Sequence, residues 1–515
     1  MDKKTEATQF QETHRVEKTK RPVYHAAPPT GWMNDPNGFS VYDGRIHLFY
    51  QYHPYRDIWG PMHWGHLTSD DYVTWDDLPV ALAPDMKYDA SGCFSGSAIS
   101  FGDRHVLIYT GCEERAPEES IQAVAQQQCL AAGDGVNYEK SPHNPIIPTA
   151  QLPDEYAANE FRDPKVWERD GRYCMVVAAK DKDQGLGHVL MYESDNLTDW
   201  SFRSVVASSD GKHSDMWECP DLFSLDGTDI LMVSRMNVRN SPPGWHDGFD
   251  VAAYRGKMNW DTGQFDIEDV QPLDQGVDFY AAQTLHAPDG RRIMVAWMQA
   301  WENFIKPAHQ KWHGMMTFPR ELAVKNGRLL QSPIRELESV RTDAVIAENV
   351  EIAGIAAVEI PGVRGRVVDL TVQILEADCD SMSIAFADGR DCGVQFEWTP
   401  GENVIRCTRE LWGASKHTTD RYREQTIVLP DGTKLQNMRF LVDRSSIELF
   451  VNDGETVFSV TYYAPAEADS ITFAADGPVR LKIEKYAINP DRARDASERT
   501  VSENEKSQDQ AELDR

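Results

Sequence analysis

The chain has 515 residues, 41% of them hydrophobic, and a formal net charge of −30 at pH 7. This length predicts two or three domains with sizeable cores, and the negative charge argues against nucleic acid or anionic membranes as partners. Eight cysteines without a CxxC pair predict neither disulfides nor structural zinc, so we expect a cytoplasmic location. Residues 1–21 form a polar extension without a secretory apolar run, and no stretch approaches the roughly 18 apolar residues of a membrane helix.

Five stretches repeat one layout, a polar turn followed by a short apolar strand, and their starts lie roughly 60 residues apart. They are 45–52, 105–111, 172–179, 229–235 and 291–298. Strand-rich units that repeat in this way are typical of β-propeller blades with four strands. We therefore predict a five-bladed β-propeller over 22–330, in an all-β protein. A sandwich of the same strands is the alternative, but it does not explain the period.

The pattern changes after the propeller. A Ser-Pro pair offers an N-cap and a first-turn proline, which predicts a linker helix over 331–349. Apolar and polar residues then alternate, for example over 370–374, and an Asn-Asp-Gly turn separates two such strands. These features predict a β-sandwich over 350–490. Residues 491–515 are charged and without apolar periodicity, so we expect a mobile tail.

Three of the five repeats carry a carboxylate about ten residues before the strand. These residues are Asp35, Asp163 and Glu218. An Asp-Pro pair alone predicts an ordinary turn, but equivalent positions in successive blades lie at equivalent radius. If these segments form the innermost strands, the three acids face the central axis and raise one another's pKa. A protonated carboxyl beside an ionised one is the arrangement that glycoside hydrolysis needs.

A metal site is the rival interpretation of three carboxylates. Calcium takes about 6–8 oxygen ligands, often from one compact loop, whereas these acids come from distant segments. We therefore predict no metal and no cofactor. Aromatic and hydrogen-bonding side chains crowd the same segments, a mixture that suits a sugar. They are Trp32, Trp59, Trp64 and Phe94, with Asn34, Gln51, Ser95 and Arg162.

At these residues the chain closely resembles glycoside hydrolase family 32, the family of invertases, inulinases and levanases. The matching motifs are WMNDPNG (32–38), WGPMHWGH (59–66), FSGS (94–97), FRDP (161–164) and ECP (218–220). The likeness covers about 22–490, and five ordered motifs on one chain make it specific. It implies a five-bladed propeller with an appended β-sandwich, and hydrolysis with retention of configuration.

The resemblance also implies a role for each acid. Asp35 would be the nucleophile, Glu218 the general acid/base, and Asp163 the residue that binds fructose hydroxyls and stabilises the transition state. Cys219 would shape the environment of Glu218. The substrate-binding candidates are Trp32, Asn34, Gln51, Trp59, Phe94, Ser95, Arg162 and Tyr280.

These inferences predict a β-fructofuranosidase that releases terminal fructosyl units from sucrose and short fructooligosaccharides. Three alternatives stay open: a fructosyltransferase, a sucrose-6-phosphate hydrolase and a non-catalytic fructan-binding protein. A phosphorylated substrate would need a basic cluster at the pocket rim, and Arg56, Lys87 and Arg115 cannot be placed from the sequence. The expected partner is a small sugar, and a homo-oligomer is possible.

Overall fold

A computed structural model describes residues 2–116, 118–389, 392–410, 413 and 423–492. Apart from its first two residues, the predicted tail over 491–515 lies outside the described residues. Strands dominate the described chain, and they form a five-bladed β-propeller followed by a β-sandwich, which confirms the predicted fold class. Within the described residues, every helix is too short or too polar to cross a membrane.

Each blade is an antiparallel sheet built on four consecutive strands, except that blade 5 contains an insertion. Blade 1 contains β1 (Gly31–Tyr42), β2 (Arg45–His53), β3 (His63–Ser69) and β4 (Asp76–Leu82). Blade 2 contains β5 (Gly92–Phe101), β6 (Arg104–Cys112), β7 (Gln126–Gly133) and β8 (Tyr138–Lys140). Blade 3 contains β9 (Tyr156–Arg169), β10 (Arg172–Asp181), β11 (Gly187–Ser194) and β12 (Trp200–Ser208).

Blade 4 contains β13 (Met216–Leu225), β14 (Thr228–Val238), β15 (Gly248–Asn259) and β16 (Gln264–Pro272). Blade 5 contains β17 (Tyr280–His286), β18 (Arg292–Met298), the short β20 (Met315–Met316), β21 (Arg320–Lys325) and β22 (Arg328–Pro333). An insertion after β18 contains the short β19 (Trp312–His313), which joins the sheet of blade 1. The insertion joins the last blade to the first, because β19 pairs with the start of β1.

The repeated apolar stretches are the second strands of the blades: β2, β6, β10, β14 and β18. Their near-continuous apolar sequence follows from burial on both faces between neighbouring blades. The first strands, β1, β5, β9, β13 and β17, contact one another between blades and surround the axis. A side chain on a first strand is therefore placed at the centre of the ring.

The predicted linker helix over 331–349 is wrong in type and length. β22 extends to Pro333, a single 3₁₀ helix covers Arg335–Val340, and β23 begins at Arg341. The cause is tertiary pairing, because residues from Arg341 onward form an antiparallel ladder with the end of the chain. Such pairing overrides local helix signals.

In the described residues of the sandwich there are ten strands, along which buried core residues alternate with solvent-facing ones. They are β23 (Arg341–Arg364), β24 (Val368–Ala377), β25 (Met382–Gly389), β26 (Cys392–Thr399), β27 (Val404–Arg409), β28 (Glu424–Val428), β29 (Asn437–Asp443), β30 (Ser446–Val451), β31 (Thr456–Thr461) and β32 (Ser470–Ile488). Residues 471–475 of β32 pair with β25, and residues 479–487 pair with β24. One long strand therefore belongs to both layers.

The polar N-terminal extension contains a helix that the sequence did not indicate. Helix α1 (Lys3–Thr13) is capped at its N-terminus by Asp2, whose carboxylate accepts a hydrogen bond from the backbone N–H of Thr5. Its buried face packs on β4, where Gln11 Nε2 donates to the backbone oxygen of Leu78 at 3.1 Å. The helix thereby covers the outer edge strand of blade 1.

A buried ionic network joins the two domains. His25 donates to both Asp443 and Glu448, at 2.9 Å in each case. Arg320 of β21 pairs with Glu448 and, at 3.0 Å, with Asp274. All five side chains are buried. Burial opposes a charge on His25, but its hydrogen bonds with Asp443 and Glu448 outweigh this effect and raise its pKa to about 9.

Candidate active site

The three carboxylates lie on the first strands of blades 1, 3 and 4 and line one pocket of about 460 Å³. The thiol of Cys219 spans two of them, with Sγ 3.7 Å from Asp35 Oδ2 and 3.6 Å from Asp163 Oδ2. Glu218 precedes this cysteine. The ring therefore brings together, in one pocket, three residues that are far apart in sequence.

The first strands lose their regular pairing at the level of these acids. In each of three strands, two residues oppose one on the neighbouring strand, and a proline lies in or closes this β-bulge. The prolines are Pro36, Pro164 and Pro220, directly after Asp35, Asp163 and Cys219. Asp163 and Cys219 have positive φ angles of 65° and 48°, which is a strained conformation for these residues. The bulges re-aim the side chains.

Asp35 is held by short hydrogen bonds. Ser95 Oγ donates to Oδ2 at 2.6 Å, and Asn34 Nδ2 donates to Oδ1 at 3.0 Å. Trp32 Nε1 in turn donates to the amide oxygen of Asn34 at 2.7 Å and fixes the amide orientation. Burial and the nearby Glu218 carboxylate raise the pKa of Asp35 to about 6.

Asp163 accepts a hydrogen bond from the backbone N–H of Cys219 at 3.0 Å, and its own N–H donates to Thr110 Oγ1. Burial and the charge of Glu218 raise the pKa of Asp163 to about 7, although the neighbouring Arg162 acts in the opposite direction. The site therefore retains a proton near neutral pH.

Glu218 accepts hydrogen bonds at both oxygens. Arg162 Nε donates to Oε1 and the Tyr280 hydroxyl donates to Oε2, each at 2.8 Å. Arg162 also contacts Glu160, with Nη1 2.5 Å from Oε2. Burial raises the pKa of Tyr280 well above its usual value, so the phenol stays a donor. Two fixed donors thus orient the Glu218 carboxylate.

Sequence comparison assigns both domains. Residues 25–333 match the glycosyl hydrolases family 32 N-terminal domain, and residues 336–489 match the family 32 C-terminal domain. The chain belongs to glycoside hydrolase family 32. This confirms the resemblance that the motifs indicated.

Known proteins of similar sequence and structure align with nearly the whole chain of this family 32 protein. A raffinose invertase of Escherichia coli is 38% identical over 467 residues, which are 89% of this chain and 93% of the relative. A sucrose-6-phosphate hydrolase of Escherichia coli is 37% identical over 90% of this chain and 93% of the relative. The β-fructofuranosidase structure of Bombyx mori has a TM-score of 0.80 at 31% identity, covering 94% of this chain and 98% of that one.

Most of the predicted substrate-binding residues line the pocket of this family 32 protein. They are Asn34, Gln51, Trp59, Phe94, Ser95 and Arg162. Trp59 and Phe94 pack edge to face, with ring centroids 6.0 Å apart, and Gln51 Nε2 donates to the backbone oxygen of Cys93. Their direct contact with a sugar stays a prediction.

Trp32 and Tyr280 lie behind the pocket wall, and their predicted part in substrate binding stays a prediction. Their exposed fractions are 2% and 0%, and neither lines the pocket. Trp32 orients Asn34, and Tyr280 orients Glu218. The sequence predicted that both lie near the site. Only the packing shows that each donates a hydrogen bond to a residue that lines the pocket.

Several residues that line the pocket were not predicted from the sequence. They are Ile121, Gln122, Gln126, Asn159, Glu160, Met236, Phe249, Trp301, Glu302 and Phe304. Glu160 was detectable, because it lies two residues before Arg162 in an inner strand and so points to the same side. Trp301 and Phe304 lie in the loop between β18 and β19. The repeat predicts the strands of a blade but not where such a loop folds.

The structure gives the positions of the three basic residues that the sequence could not place relative to the pocket. Arg56, Lys87 and Arg115 do not line the pocket. Across the described ranges, no group of three or more His, Cys, Asp or Glu side chains has a geometry that could hold a metal ion. None of the eight cysteines, all of which are described, forms a disulfide. Burial and the neighbouring carboxylates raise the pKa of Cys219, so its thiol stays protonated beside Asp35 and Asp163.

Proposed function

We propose that this family 32 hydrolase is a retaining β-fructofuranosidase that releases terminal fructosyl units from sucrose and short fructooligosaccharides. The meeting of Asp35, Asp163 and Glu218 in one pocket carries the proposal. The names of two relatives, a raffinose invertase and a β-fructofuranosidase, support a sucrose-type substrate. A cytoplasmic location and a homo-oligomer stay predictions.

The chemistry follows from two carboxyls with different surroundings. Asp35 attacks C2 of the fructosyl unit, a C–O ester bond forms, and the bond from C2 to the leaving oxygen breaks. Glu218 donates a proton to that oxygen, so the leaving sugar departs neutral. In the second half, Glu218 takes a proton from water, the water oxygen bonds to C2, and Asp35 leaves as a carboxylate. Two inversions give net retention.

The surrounding groups prepare these steps. Ser95 and Asn34 hold the attacking carboxylate of Asp35 in one orientation. Asp163, whose pKa is raised to about 7, accepts or donates hydrogen bonds to fructose hydroxyls. The negative charge of the cluster favours the positive charge that develops on C2 in the oxocarbenium-like transition state.

The experiment is sucrose hydrolysis followed by proton NMR in the first seconds. We expect β-fructofuranose as the first product, before mutarotation. First release of the α-anomer would contradict double displacement, and no release of sugar would instead favour the fructan-binding alternative. Trisaccharide accumulation at high sucrose would favour the fructosyltransferase alternative, whose catalytic residues are the same.

A further inference from the structure

A second cavity lies further along the inner strands than the candidate active-site pocket. Its volume is about 790 Å³, against about 460 Å³ for that pocket. On strand β9, Asp163 lines the pocket, whereas residues 165–169 line this cavity. On strand β13, the same change occurs between Glu218 and residues 221–224. We call this space the basal cavity, and none of its lining residues is a sequence neighbour of an undescribed residue.

Two cations and one carboxylate meet in the wall of the basal cavity. Lys165 Nζ lies 3.1 Å from Asp221 Oδ2, and the exposed fractions of these two side chains are 12% and 2%. Lys165 Nζ also donates to the backbone oxygen of Thr284 at 2.5 Å, and the Thr284 N–H donates to Asp221 Oδ2 at 2.8 Å. Lys165 and Asp221 therefore balance one another, which leaves the second cation, Arg292, to be accounted for.

Arg292 has few partners for a partly buried cation. Its Nη1 donates to Thr284 Oγ1 at a long 3.3 Å, and its guanidinium carbon lies 4.6 Å from the centre of the Phe223 ring. Across the described residues Arg292 forms no ion pair, its Nη2 makes no hydrogen bond, and its Nε is buried without a hydrogen-bond partner. Burial lowers the pKa of Arg292, and Asp221 acts in the opposite direction.

The buried arginines elsewhere in this chain are paired. Each of them has a carboxylate oxygen within 3.0 Å: Arg162 with Glu218, Arg235 with Asp250, Arg320 with Asp274 and Arg409 with Asp278. A cation that leaves water without a counter-ion costs free energy. Arg292 stands beside open space rather than beside a carboxylate, so the structure points to a counter-ion that the described part of the chain does not supply.

The other charged groups of the basal cavity are paired, hydrogen-bonded or exposed. The lining contains three lysines or arginines and three carboxylates, so its formal charge sums to zero. Asp229 accepts a hydrogen bond from a backbone N–H at 2.9 Å, and Arg169 lies 3.3 Å from Asp170. Glu168 and His286 are exposed, and solvent screens exposed charges far more than buried ones. The local imbalance at Arg292 therefore dominates inside the cavity.

We propose that the basal cavity binds a small oxyanion, the phosphate or carboxylate group of a metabolite, with the guanidinium of Arg292 as its main donor. A guanidinium presents several N–H donors in one plane, which matches the oxygens of both groups. The rings of Trp167, Phe223 and Trp260 line the same cavity and offer apolar surface to the rest of such a ligand. This site goes beyond the proposed function, because none of these residues lines the candidate active-site pocket.

The test is a calorimetric titration of the full chain with inorganic phosphate at pH 7 and constant ionic strength. The variants are Arg292→Met, which removes the charge, and Arg292→Lys, which keeps the charge without the planar donors. The control is Arg239→Met, because Arg239 is exposed after β14 and gives the same change in net charge. Direct binding is measured because phosphate also raises the Tm of proteins by exclusion from their surface.

We expect saturable binding of phosphate to the unmodified protein. The Kd should rise at least about 10-fold in Arg292→Met, because hydrogen bonds to a charged group are lost. It should rise less in Arg292→Lys, since an ammonium cannot reproduce the planar donors, and stay unchanged in Arg239→Met. Acetate, titrated in the same way, distinguishes the two acid groups: tighter binding of phosphate assigns the site to phosphorylated ligands, and tighter binding of acetate assigns it to carboxylates.

No saturable binding of phosphate by the unmodified protein would overturn the inference. An equal Kd in Arg292→Met would place the phosphate elsewhere and overturn it too, as would an equal loss in Arg239→Met, which would assign the effect to net charge. If Arg292→Met does not fold, Arg292→Lys decides, because a Kd equal to that of the unmodified protein would contradict recognition by the guanidinium. Sucrose hydrolysis, measured on each variant, should be unchanged and shows that the variant is folded.

Discussion

The candidate active-site pocket and the domain interface both bury carboxylates, and they differ in how the charge is balanced. At the interface, hydrogen bonds and charge from His25 and Arg320 overcome burial and keep the pKa of Asp443 and Glu448 below their usual values. In the pocket, burial and the proximity of Glu218 raise the pKa of Asp35 and Asp163. The interface is paired for stability, whereas the pocket keeps unbalanced charge that a reaction can use.

The largest expected effect is at Asp35, the proposed nucleophile. Asp35→Asn should lower kcat for sucrose by roughly 10⁴-fold or more, because the amide cannot form the ester. Ser95 and Asn34 keep a polar partner at this position, so the protein should still fold. The control is Asp431→Asn, which changes an exposed aspartate in a sandwich turn. Activity close to that of the control would assign the nucleophile elsewhere.

Breaking the interface network should be the largest stability effect. His25→Leu removes the cation between Asp443 and Glu448 and leaves two buried carboxylates undercompensated, which costs about 3–5 kcal/mol. The measurement is the free energy of unfolding in urea at pH 7. His143→Leu is the matched control, because His143 is exposed. Equal stability of the two variants would show that the network is energetically neutral.

The pH dependence of that loss has a defined sign. The pKa of His25 is raised from 6.5 to about 9 in the fold, so its stabilisation is fully present below pH 6.5 and is lost as pH rises through 9. The difference between the unmodified protein and His25→Leu should therefore shrink between pH 7 and pH 10. A difference that grows over this range would contradict the assigned charge state.

Removal of a charge from the pocket should raise the stability of the fold, whereas removal of a charge from the interface lowers it. Asp163→Asn removes an unbalanced buried charge and keeps an oxygen that can accept from the Cys219 N–H. We expect stability at pH 8 to increase on the order of 1–3 kcal/mol while activity falls. Because the pKa in the fold is raised to about 7, the gain should shrink as the pH is lowered towards 4. Thermal melts at pH 8 and pH 4.5 check this, and a destabilised variant at pH 8 would be the contrary outcome.

The smallest expected effect is the fall of kcat/KM on the acidic side of the pH profile. In the proposed mechanism Asp35 attacks only as a carboxylate, and its pKa is raised to about 6. Consequently kcat/KM for sucrose should fall about tenfold per pH unit below that value. Initial rates from pH 4 to 8 at fixed ionic strength measure this limb. A limb near pH 4 would instead indicate an Asp35 that is not perturbed by burial.

Much of the fold was predictable because it repeats. A strand buried on both faces between blades needs a near-continuous apolar sequence, and its regular recurrence identified β2, β6, β10, β14 and β18. The spacing of Asp35, Asp163 and Glu218 relative to those strands then predicted inner-strand positions. The helix predicted over 331–349 is not formed, because 331–333 pair with β21 and the residues from Arg341 onward pair with β32, far away in sequence.

The amino-acid sequence alone determined the repeat, the family and the identity of the three acids, since these depend on local residue types and their spacing. Only the tertiary structure decided that Trp32 and Tyr280 support their neighbours from behind, and that Arg162 is shared between Glu160 and Glu218. The physical reason is that burial and electrostatic balance depend on contacts between segments of different blades. Those contacts arise only when the ring closes.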